Sequence, residues 1–197
     1  GTFTLQRVAT EESTHGLEFT GGTQVEAYAF VSGYNHFGVV LKDTATFTAK
    51  ESSVYGNKAG FSVNQDSRIY LTNIYISKNG SGIVLGANAK ASLNTVTLNE
   101  NTLALDLTAN NEVIVENSKI QNGQSGVRVR GSSKFTMTGG EIFGMGPNCN
   151  AETYGISAGG TSVQLANVNI HDNLGYALAV GFSTKAEVVN STFLKNG

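Results

Sequence analysis

The chain is poor in several of the residues that would narrow its chemistry. It has one cysteine, Cys149, which excludes an internal disulfide framework and any multi-cysteine metal site. It has one proline and no tryptophan. Charged residues make up 14% of the 197, and thirteen Lys and Arg against fifteen Asp and Glu give a net charge of -2. Such a balance offers no global field for a polyanion and argues against nucleic acid as a partner. No apolar run is longer than a few residues, which argues against a membrane span. What is abundant is Gly, at 24 residues, and Asn, at 20, in a chain that is 40% hydrophobic. That is too apolar and too patterned for disorder.

The pattern is a repeat. A small residue followed by alternating apolar ones recurs as Gly16-Leu17-Glu18-Phe19, Gly38-Val39-Val40-Leu41, Gly60-Phe61-Ser62-Val63 and Gly82-Ile83-Val84-Leu85. It continues as Ala104-Leu105-Asp106-Leu107, Gly126-Val127-Arg128-Val129, Gly155-Ile156-Ser157-Ala158 and Ala177-Leu178-Ala179-Val180. The starts lie 22 residues apart except between Gly126 and Gly155, where the step is 29. With the small residue as column 0, columns 9 and 11 supply pairs such as Phe47/Ala49, Ile69/Leu71 and Val113/Val115, and column 16 carries Val54, Ile76, Leu98, Ile120 and Ile142. Ile170 joins column 16 after a one-residue shift. Spacing of two within each group is strand periodicity. Three short strands per unit, separated by Gly, Asn, Ser and Thr, fold the unit into one triangular coil. Residues 1–15 read as a partial first coil, with Phe3, Leu5 and Val8 in apolar columns.

Column 19 holds Asn35, Asn57, Asn79, Asn101 and Asn196, with Asn173 one position early. Asn tolerates left-handed backbone and bonds to nearby main chain, and identical Asn stacked coil on coil can form a ladder. A structural corner ladder is therefore expected, with ligand binding as the alternative. With this corner and the 22-residue coil, the chain resembles the right-handed parallel β-helices of pectate lyases, phage tailspikes and autotransporter passengers. The resemblance implies an all-β, single-stranded right-handed parallel β-helix of eight to nine coils over residues 1–197, with an inserted loop at about 144–154. Within that superfamily, Ile76-Ser77-Lys78-Asn79, Ile170-His171-Asp172-Asn173 and Phe193-Leu194-Lys195-Asn196 resemble the repeats of non-catalytic surface passengers.

Enzymes of this fold cluster carboxylates on neighbouring coils, where stacking sets them about 5 Å apart. Of four Asp, only Asp43 and Asp66 occupy adjacent columns of consecutive coils, reading as a solvated turn or a weak Ca²⁺ site. Asp106 with Arg128, and Lys119 with Glu141, share columns on adjacent coils and are expected to form ion pairs. His171 near Glu141 is the one His–carboxylate neighbourhood. No catalytic residue and no cofactor is assigned.

Binding features are sparser. Arg68, Lys90, Lys134 and Lys185 form a basic edge interrupted by Glu112, which reads as an anionic-glycan strip or as lysines that blunt lateral pairing. Among Tyr28, Tyr55, Tyr70, Tyr75 and Phe143, the column assignment puts only Tyr55 and Phe143 on one face. The insertion, with Pro147, Asn148, Cys149 and Tyr154, is a candidate recognition loop or a neutral bulge. No capping helix or signal peptide is visible, so the repeat runs to both ends, where a second copy could stack head to tail. Low charge and many Thr, Asn and Gly suggest an extracellular or cell-surface structural or adhesive solenoid: a stalk, filament subunit or passenger segment. Its partners would be itself or a surface glycan or receptor. A glycan-binding or polysaccharide-degrading β-helix is the alternative.

Overall fold

The computed structural model describes residues 1–146 and 153–197, and contains strands and turns with no helix. The strands pair in parallel, each residue opposite one about 22 positions later, so the chain winds as a solenoid of stacked coils. Its first face is an eight-stranded sheet running from His15–Phe19 to Tyr176–Val180. The second face stacks Thr2–Gln6, Gln24–Tyr28 and their successors, and the third stacks short strands beginning with Ala9–Glu11 and Val31–Gly33. Three strands per coil were expected. In four coils the second and third merge into one ten-residue strand: Thr46–Tyr55, Arg68–Ser77, Glu112–Gln121 and Lys134–Phe143. A single left-handed residue, such as Glu51 or Asn73, turns that corner without ending the strand.

The apolar columns face one shared interior. Val39, Phe61, Ile83, Leu105, Val127 and Ile156 stack from the first face. Phe47, Ile69, Val113 and Phe135 stack from the second, and Val54, Ile76, Leu98 and Ile120 from the third. Phe30, Phe47 and Phe61 fill the early coils, with Phe30 edge-on to Phe47 at 5.5 Å between ring centres.

The small residue of column 0 has a steric cause. A Cβ on Gly38 would lie 2.6 Å from the carbonyl oxygen of Gly60, and one on Gly60 would lie 2.6 Å from that of Gly82. The column points along the stack into the main chain of the next coil, where no rotamer relieves the contact.

The Asn corner differs from expectation in one respect. Its left-handed residue is the one before the Asn, with φ of 54° at Tyr34, 56° at Lys78 and 54° at Glu100. The Asn itself works through its side chain. Asn79 Oδ1 accepts from the Asn57 amide at 2.9 Å and from Asn57 Nδ2 at 3.0 Å. Asn79 Nδ2 in turn donates to Val54 O at 3.2 Å and to Asn101 Oδ1 at 2.9 Å. The rungs run Asn35, Asn57, Asn79, Asn101, pass over Gly123 and Met145, and resume at Asn173 and Asn196. Met145 keeps its place because its amide donates to Asn173 Oδ1 at 3.0 Å.

One deletion explains both sequence irregularities of the seventh coil. Lys134 pairs with Ser162, so the corner Gly159-Gly160-Thr161 is one residue shorter than Arg130-Gly131-Ser132-Ser133 before it. Everything after that corner, including Ile170 and Asn173, arrives one position early. The insertion is equally local. The Gly146 amide bonds to Gly123 O at 2.9 Å, and Tyr154 already pairs with Tyr176, so coil geometry holds up to 146 and again from 154.

Candidate functional site

The predicted site residues fall on different parts of the coil. Pro147, Asn148 and Cys149 lie outside the described residues, while Tyr154 opens the strand Tyr154–Ala158 and packs against Arg128. Asp43 and Asp66 sit at one exposed corner on adjacent coils, both with left-handed backbone, but one position out of register: Thr44, rather than Asp43, is the stacking counterpart of Asp66. Among the described residues no three His, Cys, Asp or Glu side chains gather as metal ligands.

Arg68, Lys90, Lys134 and Lys185 all lie exposed in one outward column of the second face. Glu112 and Ser162 stand between them in the stack. Lys90 Nζ is held by Glu112 at 2.7 Å, so the strip is not uniformly positive. That pair also holds the Glu112 carboxyl below its ordinary range, as the bond from Lys42 does for Glu18. Both contributions are present above the ordinary carboxylate pKa and are lost as the pH falls through the lowered folded values.

The ion pair at Asp106 is stronger than a surface pair. Arg128 grips the carboxylate with two bonds, at 3.0 and 2.6 Å, and Arg130 adds a third at 3.3 Å. Asp106 is buried, and bidentate geometry fixes the guanidinium plane. Lys119 meets Glu141 at 3.1 Å. The carboxylate partner of His171 is therefore not Glu141 but Asp172, at 2.7 Å, and the imidazole stacks on Phe143 at 5.0 Å.

The aromatic residues group differently from the column reading. Outward columns two apart lie on the same face, so Tyr55 and Tyr75 share the third face with Phe143, while Tyr28 and Tyr70 share the second. The signal for this was present in the strand period. Two tyrosines are also tied to carboxylates: Tyr28 donates to Glu51 at 2.6 Å and Tyr55 to Glu11 at 2.9 Å. Tyr55 reaches Glu11 by lying across Gly33, where a Cβ would stand 2.8 Å from the ring. Tyr34 leans the opposite way over Gly56, and the two rings meet edge to face at 5.3 Å and 88°.

These carboxylates raise the Tyr28 and Tyr55 pKa values, chiefly through the phenol hydrogen bond. Each contribution to stability is complete below the ordinary tyrosine pKa and is lost as the pH rises through the raised value. In an alkaline absorbance titration, Tyr28 and Tyr55 should ionise above the ordinary tyrosine range. Glu11→Gln should bring Tyr55 back toward the ordinary tyrosine value and leave Tyr28 in place. One unresolved wave, unchanged by the substitution, would contradict the assignment.

A family model described as the right-handed beta helix region matches residues 16–149, more than half of the chain. The chain is a right-handed β-helix protein. The parallel coils of this β-helix agree with that membership. No curated protein matches the sequence.

Proposed function

We propose that this β-helix is an extracellular structural or adhesive rod, with a surface glycan or receptor, or further copies of itself, as partner. What supports this reading is the direction of its polar bonding. Lys90–Glu112, Lys119–Glu141 and Arg128–Asp106 each join one coil to the next, and the Asn ladder does the same along a corner. The charged side chains stiffen the stack along its axis rather than converge on one reacting point.

Head-to-tail growth uses the last coil, where Val180, Val188 and Phe193 occupy core columns yet are exposed. In register, Lys185–Val189 would add to Thr2–Gln6 of a second copy, and Thr192–Leu194 to Ala9–Glu11. Self-stacking of this kind is expected to depend on concentration. Light scattering after size exclusion, with negative-stain images, should show rods that lengthen as the sample is concentrated. A monodisperse monomer at every concentration removes self-stacking and leaves the lateral faces as the adhesive surfaces.

A further inference from the structure

We infer that the third face carries a cation-binding corner built from Tyr34, Tyr55 and Glu11, suited to an ammonium or guanidinium group. This goes beyond the rod function and does not depend on it.

Tyr34 and Tyr55 stand at 88° to each other, which forms two walls of an angular recess. Each ring is braced by a glycine of the neighbouring coil, Tyr34 over Gly56 and Tyr55 over Gly33, so neither wall depends on a ligand for its position. The Tyr34 ring is 62% exposed and Tyr55 is half-buried, so the corner is open to solvent on the Tyr34 side.

Charge decides between a neutral and a cationic occupant. Glu11 anchors the Tyr55 phenol at 2.9 Å, and Glu12 follows it at the corner below Tyr34. No ion pair is formed by either carboxylate among the described residues, whereas Lys78, two coils above Glu12's neighbour Tyr34 in the corner column, is drawn toward Glu100 at 3.9 Å. A phenol that donates to a carboxylate has a more electron-rich ring, and aromatic faces beside negative charge attract cations rather than sugar hydroxyls. The group could arrive as a free amine or on a Lys or Arg side chain of a basic peptide, since both present the same cation.

The test is an aromatic ¹³C–¹H NMR titration of the intact chain with tetramethylammonium chloride, with sodium chloride at equal ionic strength as the reference. The Tyr34 and Tyr55 ring signals should shift saturably in the millimolar range, as expected for a few partly solvated cation–π contacts. Tyr34→Ala should abolish the saturation. Glu11→Gln keeps an acceptor for Tyr55 but removes the charge, so it should weaken binding several-fold while the chain stays folded by circular dichroism. A Lys-containing peptide that displaces tetramethylammonium identifies a peptide source, and its failure to do so identifies a free amine. The inference is overturned if the shifts do not saturate, if Tyr28 and Tyr70 shift equally, or if methyl glucoside moves these signals where tetramethylammonium does not.

Discussion

Replacing Gly82 with Asp should lower the melting temperature by on the order of 10 °C, a loss of about 3 kcal/mol or more. A Cβ at this position would lie 2.5 Å from the Ala104 carbonyl oxygen and 2.8 Å from Leu98 Cδ2. The first contact is with main chain of the next coil, so either the coils part or the backbone of both shifts. The carboxylate would also enter a site with no cation to receive it. Gly82→Ala brings the same Cβ contact without the charge and should cost less than Gly82→Asp, about 1–3 kcal/mol. Gly159→Asp is the matching control. A Cβ there meets nothing within 4 Å, and stability should change by no more than about 0.5 kcal/mol. Equal melting of the Gly82 and Gly159 variants would refute this account of the column.

Asn79→Leu should be nearly as damaging, by about 3 kcal/mol. Leucine matches the volume but strands the Asn57 amide, the Val54 carbonyl and one side of Asn101 in a buried corner. Each unmet buried group carries a desolvation cost of about 1–3 kcal/mol, only partly offset by the added apolar contact. Asn196→Ala removes only part-buried bonds to Asn173, one of them long at 3.4 Å, and should cost less, about 1 kcal/mol. Chemical denaturation of the two variants side by side measures the difference. Similar losses at both positions would mean that the ladder contributes through something other than buried hydrogen bonds.

The architecture was readable because stacking forces one rule on every coil. Each core column must stay apolar and column 0 must stay small, so Gly38, Gly60 and Gly82 announce the period before any coordinate is known. The register of Asp106 with Arg128 and of Lys119 with Glu141 followed from the same count. What the count could not supply was direction within a coil. Column 19 marks the Asn corner, but the left-handed turn falls at Tyr34 and Lys78, because the chain must reverse before the Asn amide can meet the Oδ1 of the next rung. The Tyr34–Tyr55 pair was illegible for a similar reason. It depends on Gly33 and Gly56 leaving room for rings that cross between coils in opposite directions, a contact that columns treated separately do not reveal. Likewise the column count pairs Asp106 with Arg128 but carries no sign that Arg130 adds a further bond to a buried carboxylate.

The hydrogen bonds of the ladder and of the sheets all run along the rod, and this gives the molecule an uneven response to load. A sideways push is borne by the packed interior of many coils at once. A pull along the axis is carried through the coils in series, so the weakest boundary opens first. Each coil that opens exchanges about 4.8 Å of stacked height for roughly 70–80 Å of extended chain. The rod thus resists small tension as a solid and yields to large tension as a tether that pays out one turn at a time.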